Sequence, residues 1–152
     1  MSITAFLEDQ QIAFESLPHP PAYSAQKLAK YLHVPGRQVA KCLLLRGPEG
    51  LFLAILPATF HVDPDLLRAE LDGPVRLAVD EEIAAVFHDC EWGVVPPFGT
   101  LYGLPTVLDD SLEPDALIVF EGESHVQAIR IRCSDFERLE HPRRLRFAVP
   151  TR

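Results

Sequence analysis

The stretch Val39-Ala40-Lys41-Cys42-Leu43-Leu44-Leu45 is apolar except for one ammonium group. Apolar runs of this length form strands covered on both faces, and alternation puts Lys41 on the face of Val39, Leu43 and Leu45. An ammonium group that sheds its water there needs compensation. Two readings follow: Lys41 is held for a ligand, or it snorkels from a strand end to solvent. Cys42 alternates to the opposite face and reads as a small core residue.

The second candidate is Gly93-Val94-Val95-Pro96-Pro97-Phe98-Gly99. Adjacent prolines fix φ and remove donors, while the flanking glycines permit conformations other residues avoid. Such a loop is stiff and brings backbone close to a ligand, where N–H groups bind a carbonyl oxygen or a developing oxyanion. The plain alternative is a rigid connection. His125 follows Glu121-Gly122-Glu123-Ser124 between two apolar runs; it reads as a base, a proton donor or a ligand holder, or as an exposed turn residue.

Other chemistries find little footing. There is no Gly-x-Ser-x-Gly elbow. His88-Asp89-Cys90 offers two metal ligands, but no second pair, Cys-x-x-Cys or His-x-x-x-His completes a site, so no metal is expected. Neither a Walker A loop nor Gly-x-Gly-x-x-Gly is present, and no nucleotide cofactor is expected.

The elements that must position these residues are short, punctuated by 14 prolines and 8 glycines. Residues 3–10 predict a helix and Ile12 to Leu17 a strand, followed by an extended Leu17-Pro18-His19-Pro20-Pro21. Ser24 caps a helix through Leu32, with Leu28, Tyr31 and Leu32 on one face. Val39 to Leu45 and Leu51 to Leu56 form a hairpin around Gly47-Pro48-Glu49-Gly50. Asp63-Pro64 starts a helix that stops before Gly73-Pro74. Further expectations are a strand at Arg76 to Val79, a helix capped by Asp80 running to Phe87, and a loop from Trp92 to Tyr102. Strands at Leu104 to Leu108, Leu117 to Glu121 and Val126 to Arg132 precede a last helix capped by Ser134. The class is α+β: a curved mixed, mostly antiparallel β-sheet, a partial barrel, flanked by helices.

A length of 152 residues fits one domain. The net charge of −8 is uneven. Residues 1–129 carry 7 Lys/Arg against 19 Asp/Glu, a net of −12, and residues 130–152 carry 7 Arg against 3 acids, a net of +4. The acidic body disfavours a broad footprint on a phosphate backbone, and no DNA partner is expected. The basic tail, about 140–152, reads as a solvated terminus or a small nucleic-acid contact. No apolar run is long enough for a membrane span. Met1-Ser2-Ile3-Thr4 lacks the features of a signal peptide, and the three cysteines suggest no disulfide framework, so a cytoplasmic setting is expected.

In order and spacing, these pieces resemble the YbaK/ProX family of prolyl-tRNA-synthetase-associated editing domains. The resemblance spans Phe14 to Leu139. It rests on His19-Pro20 before the Ser24 helix, Val34-Pro35-Gly36 leading into Gln38-Val39-Ala40-Lys41, and Gly93-x-x-x-Pro97-x-Gly99. It also rests on Asp109-Asp110-Ser111-Leu112 and on the Leu117 to Glu121 strand running into the turn at His125. The family lysine maps onto Lys41 and its Gly-x-x-x-Pro loop onto Gly93 to Pro97. Pro96 stands where other members often carry a small polar residue.

The resemblance implies a free-standing, trans-acting deacylase that removes a small non-cognate amino acid from mischarged tRNA, with tRNA-Pro as the expected carrier. The implied partners are the tRNA acceptor end, as aminoacyl-adenosine, and prolyl-tRNA synthetase. Lys41, Gly93 and His125 are the implied catalytic group, with Ser24, Val94, Pro96, Pro97, Phe98 and Gly99 as substrate contacts. Backbone N–H groups of Gly93 and Val94 would bind the oxyanion. Lys41 would grip a phosphate or the carbonyl, and water would attack, activated by the ribose 2′-hydroxyl or oriented by His125. The alternatives are a non-catalytic module that binds an amino acid, an aminoacyl ligand or a partner protein, and a deacylase for some other acyl ester.

Overall fold

The computed structural model describes residues 2–151; Met1, which begins the expected leaderless N-terminus, and Arg152, which ends the basic tail, lie outside the described residues. Local signals set most elements. Ser2 Oγ accepts the Ala5 N–H at 3.1 Å to open α1 (Ile3–Asp9), whose Ile3 and Leu7 are buried. β1 is Glu15–Pro18. Ser24 Oγ accepts the Lys27 N–H at 3.1 Å and starts α2 (Ala25–Leu32), which His33 closes in the left-handed region. β2 (Ala40–Gly47) and β3 (Gly50–Pro57) pair in register from Ala40↔Pro57 to Gly47↔Gly50, leaving Pro48-Glu49 as a two-residue turn. β4 is Phe60–Val62, and Asp63 caps α3 (Pro64–Leu71).

β5 shrinks to Arg76–Leu77, because two residues suffice to pair with Leu45 and Arg46 before α4 (Asp80–Val86) begins. The cap of α4 differs from expectation: Asp80 lies inside the helix, and Val79 is the cap, its N–H donating to Glu82 Oε1 at 3.0 Å. β6 (Thr106–Asp109), β7 (Leu117–Glu121) and β8 (Gln127–Arg132) follow. α5 (Cys133–Glu140) starts directly off β8, with Arg132 as its cap and Ser134 already helical.

Residues 143–150 are not a solvated tail. β9 (Arg143–Leu145) lies parallel to β6, and β10 (Ala148–Pro150) lies antiparallel to β4. Arg144 donates to Glu137 and to the Leu112 carbonyl. The buried Asp109 holds the crossing, accepting the N–H groups of Phe147 at 3.0 Å and Ala148 at 2.9 Å, together with the N–H and hydroxyl of Ser111.

Among the described residues three sheets result, in the orders β5-β2-β3-β6-β9, β1-β8-β7 and β10-β4. Pairing is mostly antiparallel, with β3-β6 and β6-β9 parallel. A parallel bridge, Val39↔Val119, brings β2 beside β7, but the sheets do not close into a barrel. The main core packs Ile3, Leu7, Phe98, Phe120, Ile129 and Phe136 between sheet and helices. The architecture is the expected α+β with mixed sheets.

Candidate active site

The position of Lys41 follows from what its strand pairs with. β5 covers β2 only at Leu45 and Arg46, with one further bond from the Ala78 N–H to the Leu44 carbonyl. β7 makes a ladder bridge to this chain at Val39, just before β2 begins. Between these contacts the edge of β2 lacks a strand neighbour, and a cleft of about 290 Å³ opens there. Tyr23, Ser24, Lys41, Gly93, Val95 and Glu121 line it. Lys41 is half-buried at the second position of β2, outside the core. Burial lowers its pKa, and no opposite charge among the described residues contributes. Lys41 also borders an apolar groove of about 290 Å³ containing Leu43, Leu45, His61 and Leu77, so it stands on the divide between the two. Larger depressions of 410 and 480 Å³ lie elsewhere; the uncompensated charge, not the volume, marks the cleft.

The loop splits in two. Gly93, at φ +86°, takes a backbone conformation that side chains disfavour, and it lines the cleft with Val95. Val94 is buried, does not line the cleft, and donates its N–H to the Glu91 carbonyl at 3.1 Å. It is therefore unavailable as the expected oxyanion donor. Among the described residues the N–H groups of Gly93 and Val95 take no protein acceptor.

Pro96, Pro97, Phe98 and Gly99 are buried and do not line the cleft. Phe98 packs edge-on against Phe6, Phe120 and Phe136, with centroids at 5.9, 5.3 and 5.8 Å. A Cβ on Gly99 would meet the Leu104 carbonyl oxygen at 2.5 Å. These four residues pack behind the cleft and anchor the loop.

His125 is buried behind Gly93 and held on all sides. Its Nε2 lies 2.9 Å from the Trp92 carbonyl oxygen, and a carbonyl only accepts, so Nε2 carries the proton. Nδ1 lies 3.1 Å from Glu121 Oε2, off the direction of an aligned hydrogen bond. The His125 N–H donates to Glu91 Oε2 at 2.8 Å, and the exposed Tyr23 ring stacks on the imidazole at 4.7 Å. His125 positions the Trp92-Gly93 backbone.

Ser24 serves both as helix cap and as cleft wall. Sequence reasoning passed over Tyr23, Val95 and Glu121. Glu121 carried a readable signal: it ends an apolar strand as a lone charge, just as Lys41 begins one. Its pKa is raised, first by burial and further by Glu91, with His125 opposing. The Cys42 thiol is raised strongly by burial and is no nucleophile at neutral pH. Among the described residues no three His, Cys, Asp or Glu side chains gather as a metal site, and no helix is long and apolar enough to cross a membrane.

Comparison with known proteins places this geometry. The chain is 27% identical over 107 residues to a proline–tRNA ligase of Thermotoga neapolitana, covering 70% of this chain and 18% of the ligase. It is 28% identical over 106 residues to the Kosmotoga olearia ligase, covering 69% and 18%. The chain thus matches less than a fifth of the length of these curated relatives. A solved candidate trans-editing enzyme for prolyl tRNA synthetase shares the fold at TM-score 0.80 and 21% identity, with 97% of this chain and 94% of that one covered. A hypothetical protein superposes at TM-score 0.86 and 15% identity, covering 97% and 99%. The sequence profile of the aminoacyl-tRNA editing domain matches residues 19–139, and the chain belongs to that family.

Proposed function

We propose that this protein is a trans-acting deacylase that hydrolyses a small non-cognate amino acid from mischarged tRNA, with tRNA-Pro as carrier and prolyl-tRNA synthetase as its functional partner. The observation that carries the reading is Lys41: a half-buried cation without a counter-ion among the described residues, in one cleft with Gly93. The aminoacyl ester occupies the cleft, and the terminal nucleoside lies along the apolar groove on the other side of Lys41. Attack on the ester carbonyl builds negative charge on its oxygen, which fixed donors stabilise. Lys41 and the N–H groups of Gly93 and Val95 are those donors. Water adds to the carbonyl carbon, the ester C–O bond breaks, and the 3′-hydroxyl leaves with a proton. His125 donates from Nε2 to Trp92 and its basic Nδ1 is buried away from the cleft solvent, so the base is the ribose 2′-hydroxyl, and His125 holds the loop. Family membership and the ligase relatives support tRNA-Pro as the carrier.

Incubating the protein with a panel of mischarged tRNAs tests the reading. Rapid loss of one aminoacyl ester, abolished by Lys41→Ala, is the expected result; no turnover on any member, with ligand binding retained, indicates a binding module instead. Arg144 is tied within the fold, so among the described tail residues Arg143 and Arg146 are the exposed cations that can reach a tRNA stem. Replacing both with Ala should flatten the log–log salt dependence of tRNA binding by about 1 to 2 units. An unchanged slope assigns no stem contact to them.

A further inference from the structure

We propose that Glu121 anchors the α-ammonium group of the aminoacyl substrate, in the same cleft where Lys41 meets its carbonyl. The inference rests on the deacylase reading and deepens it. Glu121 stands at the end of β7 and lines the cleft with Lys41 and Gly93. The buried carboxylates Asp109 and Glu140 have aligned protein donors: Asp109 accepts from two backbone N–H groups of β10 and its approach and from Ser111, and Glu140 accepts the Thr100 N–H at 3.0 Å and hydroxyl at 2.6 Å. Among the described residues Glu121 has one partner, His125 Nδ1 at 3.1 Å, which is off an aligned hydrogen bond and forms an ion pair only when the imidazole is protonated. The imidazole is unable to turn toward it, because Nε2 is fixed on Trp92.

Glu91, bound to the His125 backbone N–H, adds negative potential at Glu121. A half-buried carboxylate with spare acceptor capacity, open to a cleft, calls for a cationic donor. An aminoacyl ester supplies one, two bonds from the carbonyl carbon, and develops negative charge on the carbonyl oxygen. Lys41 and Glu121 are the complementary pair. The same carboxylate gives selectivity, because an N-acylated or peptidyl ester has no ammonium and leaves Glu121 unpaired.

The test uses the full chain, with an aminoacyl-tRNA and its N-acetylated form as substrates. The non-hydrolysable 3′-aminoacylamido-adenosine and its N-acetyl derivative are measured by calorimetry. Wild type is expected to favour the free amine by about 10- to 100-fold in kcat/KM and in Kd. Glu121→Gln should erase this preference by weakening the free-amine ligands alone. A purely structural role through His125 would weaken both forms equally and leave the preference intact, which overturns the proposal. Wild type that shows no preference, or binds neither analogue, overturns it without any variant. The two readings fail separately. Hydrolysis without amine preference removes the anchor and keeps the deacylase. Amine-dependent binding that needs Glu121, without hydrolysis of any ester, keeps the anchor and removes the deacylase.

Discussion

Asp109 and Glu140 differ from Lys41 and Glu121 in what their surroundings supply. The first pair is deeper in the protein and hydrogen-bonded to protein donors, from Phe147, Ala148 and Ser111 in one case and Thr100 in the other. The second pair is half-buried, and its members lack comparable partners. Water is lost at all four positions, but only two gain aligned hydrogen-bond donors from within, and at Glu140 burial still outweighs them and raises its pKa. Charge that the fold satisfies holds the fold together; charge that it leaves unsatisfied is available to a ligand. On the saturated side, Asp109 locks the C-terminal strands and Glu140 ties α5 to the turn after the Gly93 loop.

The largest expected effect breaks the unsatisfied side. Lys41→Ala should reduce deacylation by about 100- to 1,000-fold, as loss of one oxyanion donor does elsewhere, while circular dichroism shows the fold unchanged. Activity within about threefold of wild type would remove Lys41 from the mechanism. The matching change on the saturated side is Asp109→Ala, which orphans the buried N–H groups of Phe147 and Ala148. It should cost about 3 kcal/mol, a fall in melting temperature of roughly 10 °C for a chain of this size. A shift below about 2 °C would mean that β10 does not depend on Asp109. Thr100→Val, which removes only the hydroxyl donor to Glu140, should cost about 1.5 kcal/mol in denaturant titration.

This contrast also marks what could be read from the sequence. The Ser24 cap, the Pro48-Glu49 hairpin turn and the Asp63-Pro64 start depend on neighbours within a few residues, so their signals are local. β4, β9 and β10 have three residues each, and the partner of β10 is over 80 positions away, so no periodicity announces them. Arg143 and Arg144 read as a solvated basic run because the strand they join is β6. Lys41 was legible as a charge out of place. The Gly/Pro loop was legible as stiff, but which half faces the ligand is decided by Phe98 entering an aromatic cluster assembled from α1, β7 and α5. Glu121 called for the reasoning applied to Lys41.

The smallest effects sharpen the comparison most, because they separate the two unsatisfied charges by sign. Burial lowers the pKa of Lys41 below 10.5, so the folded state disfavours its proton, and the penalty is complete at neutral and acid pH. Burial raises that of Glu121 above 4.5, even with His125 opposing. Its folded form is favoured while protonated, so that stability is present below about pH 4.5 and is lost as pH rises through the raised value. At pH 7 both charges therefore weaken the folded state, and Lys41→Met and Glu121→Gln should each stabilise it by about 0.5 kcal/mol, small because both groups keep water contact. Taken down to about pH 4, Glu121→Gln should lose its advantage while Lys41→Met keeps it. Denaturant titrations of the two variants at both pH values would show this crossing. Parallel behaviour would mean that one of the two charges already has its partner inside the protein.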